Sequence, residues 1–359
     1  MIMIKVLVVD DSIFMRNIIS DMLAEEHDIE IVGKARNGKE AIRLNRELSP
    51  DVITLDVEMP VMNGLEALKE IMKDKPTKVI MVSSLTSEGA IETIEALENG
   101  AFDFVQKPSG TISLDIRTVK KDLLEKIRVS LKANIKILET SAKDEKVKLS
   151  KFMFNKPKKT VEKFHRNSNK IVAIGISTGG PKALQNIIPE LPQNINAGIL
   201  IVQHMPPKFT KSLADRLDLL SNIRVKEAED GDEVVNGQAY IAPGNYHMVV
   251  KDERGKKIIR LNQEANYSGH RPSANVLFKS VAEIYKKEAV GVIMTGMGGD
   301  GAEYLKVMKE NGAKTIGQSK DTCVVYGMPR VANELGAVDY VEDLMNIPQR
   351  IVKLVGGDR

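Results

Sequence analysis

Cysteine is almost missing from this sequence: Cys323 is the single thiol in 359 residues. One thiol cannot close an internal disulfide, and the count fits a reducing compartment. Its Thr322-Cys323-Val324-Val325-Tyr326 setting reads as a buried strand or turn, not as a reactive centre. Long apolar runs are missing as well, since none approaches the ~20 residues a membrane-spanning helix needs. The opening Met1-Ile2-Met3-Ile4-Lys5-Val6-Leu7-Val8-Val9-Asp10 has no small-residue cleavage site and already reads as a strand. A cytoplasmic location without membrane insertion is therefore expected. Histidine is scarce, five in all, which narrows the choice of an imidazole base. Glycine is absent from residues 139–168, where nine Lys or Arg face four Asp or Glu. That local excess of five positive charges, against a net +3, leaves the rest of the chain at −2. Such a stretch can meet nucleic acid or anionic lipid, but a solvated linker is the simpler reading.

What is present is the composition of a folded chain, 42% hydrophobic and 28% charged, long enough for two domains. In the first half, short β-branched runs (Val6–Val9, Ile29–Val32, Val52–Leu55, Val79–Val82, Phe102–Val105) alternate with amphipathic stretches. Phe14, Ile18, Ile19, Met22 and Leu23 repeat at helical spacing, as do Ala67, Leu68, Ile71 and Met72, and Ile91, Ile94 and Leu97. A last helix is expected from about Leu114 to Leu138. After residue 168 the alternation resumes with strands at Ile171–Ile174, Ile199–Val202, Val290–Met294, Lys314–Gly317 and Val338–Val341. Tyr246–Val250 and Ile258–Leu261 read as a β-hairpin turning at Arg254-Gly255. Val276–Tyr285 is expected to be helical, and Leu344–Val355 a closing helix broken or started by Pro348. The pattern predicts an α/β protein of two doubly wound parallel-sheet domains, the second Rossmann-like with an added hairpin.

Chemistry in such sheets gathers at the carboxyl ends of strands. Asp10 and Asp11 follow the first strand, Asp56 the third, Ser83 the fourth and Lys107 the fifth. Three carboxylates brought together repel one another unless a hard cation sits among them, and Mg²⁺ takes oxygen ligands of this kind. Asp56 is then a candidate nucleophile toward a phosphoryl donor, with Lys107 and the Ser83 hydroxyl on the phosphoryl oxygens. One aspartate alone would read as a polar loop tip; the ordered set does not. Through Asp10-Asp11, Asp56-Val57-Glu58-Met59-Pro60, Val82-Ser83-Ser84-Leu85-Thr86 and Lys107-Pro108, residues 3–125 resemble the response-regulator receiver domain. The resemblance implies phosphotransfer from a histidine kinase to Asp56.

In the second half, Gly175-Ile176-Ser177-Thr178-Gly179 matches a nucleophile elbow, where small flanking residues permit a tight strand-to-helix turn. His204, in Gln203-His204-Met205-Pro206, and Asp300 follow other predicted strands. The order Ser, His, Asp departs from that of α/β-hydrolases, but triads are defined by geometry and role. His270, in Ser268-Gly269-His270-Arg271-Pro272-Ser273, competes for the part of base or lines the cleft. Gly296-Met297-Gly298-Gly299-Asp300-Gly301 also satisfies the G-x-G-x-x-G dinucleotide pattern. Against it, the next strand ends in Gln318-Ser319-Lys320 with no acidic residue for a ribose, and Asp300 would repel a pyrophosphate.

Together with Ala242-Pro243-Gly244, Thr295-Gly296 and Tyr326-Gly327-Met328-Pro329-Arg330, these motifs over residues 169–355 resemble the protein-glutamate methylesterase domain of bacterial and archaeal chemotaxis. The whole chain resembles the chemotaxis response regulator methylesterase (CheB) family, with Ile176 where many relatives have alanine. The expected division is a receiver over residues 1–138, a basic linker over 139–168 and a catalytic domain over 169–359. The resemblance implies ester hydrolysis at methylated glutamates on the cytoplasmic helices of chemoreceptors, with deamidation of receptor glutamines as a second activity. It assigns Ser177 as nucleophile, His204 as base, Asp300 as orienter, the Met297 backbone N–H to the oxyanion, and Thr178 and His270 to the cleft. It also implies Mg²⁺ in the receiver, no cofactor in the esterase site, and an unmodified receiver that covers the cleft until Asp56 is phosphorylated. Two rivals are a receiver-driven DNA-binding protein, for which no helix-turn-helix follows the receiver, and a receptor adaptor without chemistry, which the intact Ser, His and Asp oppose.

Overall fold

The computed structural model describes residues 3–107, 114–133 and 169–356. These fall into two compact units, within residues 3–133 and 169–356. The expected linker, 139–168, lies outside the described residues.

The first unit is a five-stranded parallel sheet of β1 (Ile4–Val9), β2 (Ile29–Ala35), β3 (Val52–Asp56), β4 (Lys78–Ser83) and β5 (Asp103–Gln106), in the order β2-β1-β3-β4-β5. β3 and β4 are buried along nearly their whole length, as strands covered by helices on both faces must be. Between them run α1 (Ile13–Ala24), α2 (Gly38–Leu48), α3 (Gly64–Asp74) and α4 (Ser87–Glu98), with α5 (Leu114–Ser130) last. Each of the first four starts on a side chain that accepts a backbone N–H: Ser12, Asn37, Asn63 and Thr86. Asn63 and Glu66 close a reciprocal capping box. Two expectations need correction. α5 ends at Ser130, short of Leu138, where Lys132 and Ala133 turn back to bond the Val129 and Ser130 carbonyls. β5 begins at Asp103, one residue later than read. Phe14 and Ile91, though on the helical period, are 71% and 61% exposed.

The second unit is a seven-stranded parallel sheet. Its strands are β6 (Ile171–Ile176), β7 (Gly198–Gln203), β8 (Arg224–Glu227), β9 (Gln238–Ile241), β12 (Ala289–Ile293), β13 (Lys314–Gln318) and β14 (Tyr340–Glu342). A separate hairpin, β10 (His247–Glu253) and β11 (Lys256–Asn262), turns on Arg254 and Gly255, both at positive φ, the signature of a two-residue type I′ loop. The helices are α6 (Gly180–Ile187), α7 (Phe209–Leu220), α8 (Ala274–Tyr285), α9 (Ala302–Glu310), α10 (Met328–Glu334) and α11 (Ile347–Val355). Pro348 sits in the first turn of α11, so it starts that helix and does not break it. β8 and β9 went unread: β8 is an edge strand with Val225 as its single apolar residue, and four residues carry too little periodicity. The last strand is shorter than read, three residues from Tyr340.

The sheet order β14-β13-β12-β6-β7-β9-β8 places the unit's first strand in the middle. From β6 the chain builds outward through β7, then crosses back to β12 on the other side. The carboxyl ends of β7, β6 and β12 therefore lie side by side where the strand order reverses, the point at which α/β sheets form their clefts. Beneath this edge, Phe278, Val281, Ala282 and Leu277 of α8 pack into the core. A Cβ at Gly175 would lie 2.7 Å from the Ala274 Cβ, so glycine is what lets α8 lie this close to β6.

Candidate active site and phosphoacceptor site

Ser177 follows β6 directly and is 9% exposed. Its N–H donates to the Thr295 carbonyl at 3.0 Å, which fastens the end of β6 to the loop after β12. Its carbonyl accepts from Gly180 N–H at 2.7 Å and Gln203 Nε2 at 3.0 Å. Gly179, at φ +78, makes the turn into α6, and a Cβ there would also meet Val324 at 2.7 Å. Gly296 approaches so closely that a Cβ would fall 2.8 Å from the Ser177 Cβ. Met297 follows that contact, and Gly296 is itself pinned by Gly327 and Met328 N–H groups on its carbonyl at 3.1 and 2.9 Å.

His204 follows β7, and its N–H bonds the Ile176 carbonyl at 3.2 Å. The imidazole Nε2 lies 2.8 Å from Asp300 Oδ2, with both side chains nearly covered. Nδ1 is buried and has no hydrogen-bond partner among the described residues. Asp300 is held from four directions: by His204, by Ser273 Oγ at 2.7 Å, by Ala274 N–H at 2.6 Å and by Asn275 N–H at 3.2 Å. Those two N–H groups belong to the first turn of α8, so Asp300 caps that helix from another loop and meets its positive end. Burial alone would raise the Asp300 carboxyl. The bonds from His204, Ser273 and Ala274 outweigh it and hold the group below its ordinary value.

The structure thus brings His204 and Asp300 into direct contact, with Ser177 on the adjoining strand end. Among the described residues no hydrogen bond joins the Ser177 hydroxyl to the imidazole, a bond that often tightens only with substrate bound. His270 does not take Asp300; its ring stacks on His204 with centroids 3.9 Å apart and planes within 9°. Thr178 is buried, and its carbonyl accepts from Thr295 Oγ1 at 3.0 Å. Cys323 is buried in a turn, and burial pushes its thiol up to about 12, far from a nucleophile's range. The Gly296–Gly301 loop that matches the dinucleotide pattern carries Asp300 to the start of α8. Sequence reasoning missed Gln203, whose Nε2 ties the Ser177 and His204 carbonyls, and Ser273 and Gln318, whose oxygens hold Asp300 and the Thr295 N–H. Ser273, just before a helix, carried a readable signal as a cap.

In the first unit, Asp10 and Asp56 are buried and Asp11 exposed, and one ligand oxygen from each lies within 4.8 Å of the others. Lys107 Nζ sits 3.0 Å from Asp10 and 2.8 Å from Asp56. Burial, with Asp10 beside it, pushes the Asp56 carboxyl up to about 7 against the opposing pull of Lys107. Lys107 is half-buried, which would lower its pKa, but the two carboxylates beside it raise it. Two buried carboxylates and an accessible third, short of positive charge, suit a small hard cation open to solvent on one side. The Ser83 hydroxyl is turned away toward α4, donating to the Gly89 carbonyl at 3.2 Å and accepting from Thr93 Oγ1 at 2.8 Å.

A hydroxyl beside an imidazole that is itself held by a buried carboxylate can carry acyl transfer through a covalent intermediate. The comparisons agree with a hydrolase built on this scaffold. A profile of the CheB methylesterase matches residues 172–351, and one of the response regulator receiver domain matches residues 6–117. The protein-glutamate methylesterase/protein-glutamine glutaminase of Geobacillus kaustophilus is 49% identical over 98% of this chain and 99% of its own length. The protein of that name from Thermotoga maritima is 49% identical over 98% of each. The crystal structure of the Thermotoga maritima CheB methylesterase catalytic domain aligns at 48% identity and a TM-score of 0.51, over 52% of this chain and 98% of that one. The chain belongs to the CheB methylesterase family and carries its receiver domain.

Proposed function

We propose that this protein is a phosphorylation-regulated protein-glutamate methylesterase that demethylates, and also deamidates, chemoreceptors during chemotaxis adaptation. The observation that carries the reading is the 2.8 Å contact of His204 with Asp300, seated at the start of α8 beside Ser177.

With Asp300 ionised, His204 Nε2 carries the proton of that bond and Nδ1 is left as the free base. The usual serine-hydrolase template presents Nε2 to the serine, but the roles depend on which nitrogen the carboxylate holds. Ser177 Oγ attacks the ester carbonyl as its proton passes to Nδ1. Asp300 stabilises the resulting imidazolium, and the Met297 N–H takes the developing oxyanion, with Thr178 and His270 lining the cleft. Losing one such donor costs roughly 3 kcal/mol of barrier. The tetrahedral intermediate breaks its C–O bond, and the methoxy group takes the proton from His204 and leaves as methanol. Water then attacks the acyl-serine with His204 again the base, giving a glutamate side chain and free Ser177. A glutamine amide follows the same course and releases ammonia.

In the receiver, Asp56 accepts a phosphoryl group from a histidine kinase, while Lys107 balances charge on the phosphoryl oxygens. Asp10, Asp11 and Asp56 would hold Mg²⁺, which supplies positive charge for the transfer. Ser83 exchanges its bonds to Gly89 and Thr93 for one to the phosphoryl group, and that rearrangement is the switch.

Methanol release from methylated receptor membranes tests the reading. The wild-type chain should release methanol, more so with a small phosphodonor and Mg²⁺, and Ser177→Ala should not. Undiminished release by that variant would remove the nucleophile.

A further inference from the structure

The bend that carries the chain away from His204 has few means of holding itself. Pro206 and Pro207 lack the N–H that would fasten a backbone turn. Lys208 then takes φ +75 and ψ −40, in the left-handed half of backbone space that a side-chain-bearing residue rarely enters. Such strain persists only where the surroundings impose it. What lies against the bend is Ala242-Pro243-Gly244, a motif with no part in the chemistry above. β9 runs parallel to β7, the Ala242 N–H still bonds the Ile201 carbonyl at 2.9 Å, and the chain continues beside β7 to Gly244. A Cβ at Gly244 would fall 2.3 Å from the Pro206 carbonyl carbon and 2.2 Å from the Pro207 nitrogen, so backbone packs on backbone there.

Thr210 fixes that contact. It sits in the first turn of α7, two residues past Lys208, and is fully buried. Its hydroxyl accepts the Gly244 N–H at 3.0 Å and donates to Glu227 Oε1 of β8 at 2.6 Å. A threonine hydroxyl has one proton, and the Glu227 oxygen takes it, which turns the lone pairs toward Gly244. We propose that Thr210 is a positioning residue for the base. With its proton committed to Glu227 it holds Gly244 against Pro206 and Pro207, and so sets where β7 delivers the His204 imidazole between Asp300 and Ser177. This role rests on the assignment of Ser177, His204 and Asp300 made above.

The test uses the full-length chain with phosphodonor and Mg²⁺ and measures kcat and KM for methanol release from methylated receptor membranes. Thr210→Val keeps the shape of the side chain and loses the hydroxyl. It should lower kcat on the order of 10- to 100-fold, the scale of a misaligned catalytic group, with KM little changed. Thr210→Ser keeps the hydroxyl and should recover most of kcat. Wild-type kcat in Thr210→Val, a Ser variant no better than Val, or an effect confined to KM would overturn the proposal. Should thermal unfolding show that Thr210→Val does not fold, Glu227→Leu and Glu227→Gln make the same comparison. Leucine removes the acceptor and should lower kcat, glutamine keeps an acceptor oxygen and should preserve it, and equal kcat in the two would overturn the role. Ser177→Ala runs alongside: activity retained there would sink the functional reading itself, whereas a dead Ser177→Ala with a fully active Thr210→Val would sink only this inference.

Discussion

At the scale of single residues, two buried carboxylates have opposite fates. Asp300 collects an imidazole, a hydroxyl and two helix N–H groups, so its folded-state pKa lies below the unfolded one. A depressed carboxyl contributes stability that is present above the unfolded value and is lost as pH falls through the folded one. Denaturant titrations of wild type and Asp300→Asn should therefore differ most near neutrality and converge in strong acid. The same variant should lose roughly ten-thousand-fold in kcat, because an amide can hold His204 in the wrong tautomer. Asp56 is the reverse case, raised to about 7 by burial and by Asp10. Its contribution runs the other way: it is fully present below the ordinary carboxylate range and is lost as pH rises toward 7, while Lys107, its own pKa raised, stays charged. In metal-free protein Asp56→Asn should raise receiver stability at neutral pH by roughly 2 kcal/mol, a discounted share of the shift. A fall in its thermal midpoint would contradict this.

At the scale of elements, the turns into helices decide whether the site assembles. A Cβ at Gly180 would sit 1.9 Å from Gln203 Oε1, the movable end of a side chain. Gly180→Ala should therefore leave the unit folded but push Gln203 off the Ser177 carbonyl, lowering kcat about tenfold, as misplacement of a catalytic group does. Near-UV circular dichroism with kcat measured on the same sample separates this from unfolding. Gly64 is different: a Cβ there would lie 2.0 Å from the Asp56 carbonyl, which is backbone and cannot step aside. The strand-end positions of Ser177, His204 and Asp300 were legible because β6, β7 and β12 are dense β-branched runs with glycine or histidine after them. β8 and β9 were not, since each is four residues long, too short to set a period, and β8 at the sheet edge holds one apolar residue.

For the whole molecule, a receiver domain and a methylesterase domain share one polypeptide, so on the proposed assignment a phosphoryl group at Asp56 would act on Ser177 from another unit of the chain. Removing residues 1–138 should raise basal methanol release if the unmodified receiver restrains the enzyme. A crystal structure of the isolated catalytic domain of the Thermotoga maritima relative indicates that such a unit folds alone. Unchanged or lower activity from a folded fragment would reject the restraint. Among the described residues no helix is long and apolar enough to cross a membrane, in keeping with the absence of long apolar runs.

Sequence by itself determined the alternation of strand and helix in two parallel sheets, β8 and β9 excepted, and offered the candidate reacting groups, because strand periodicity and the residue after each strand are local properties. The residues alone offered both His204 and His270 as a base, each in a loop with proline close by, and the family resemblance chose His204. Tertiary structure adds the contact in favour of His204, since the crossover to β12 beside β6 carries Asp300 to His204 and not to His270. It also decided which imidazole nitrogen is left free, because a hydrogen bond between residues 96 positions apart has no local signature.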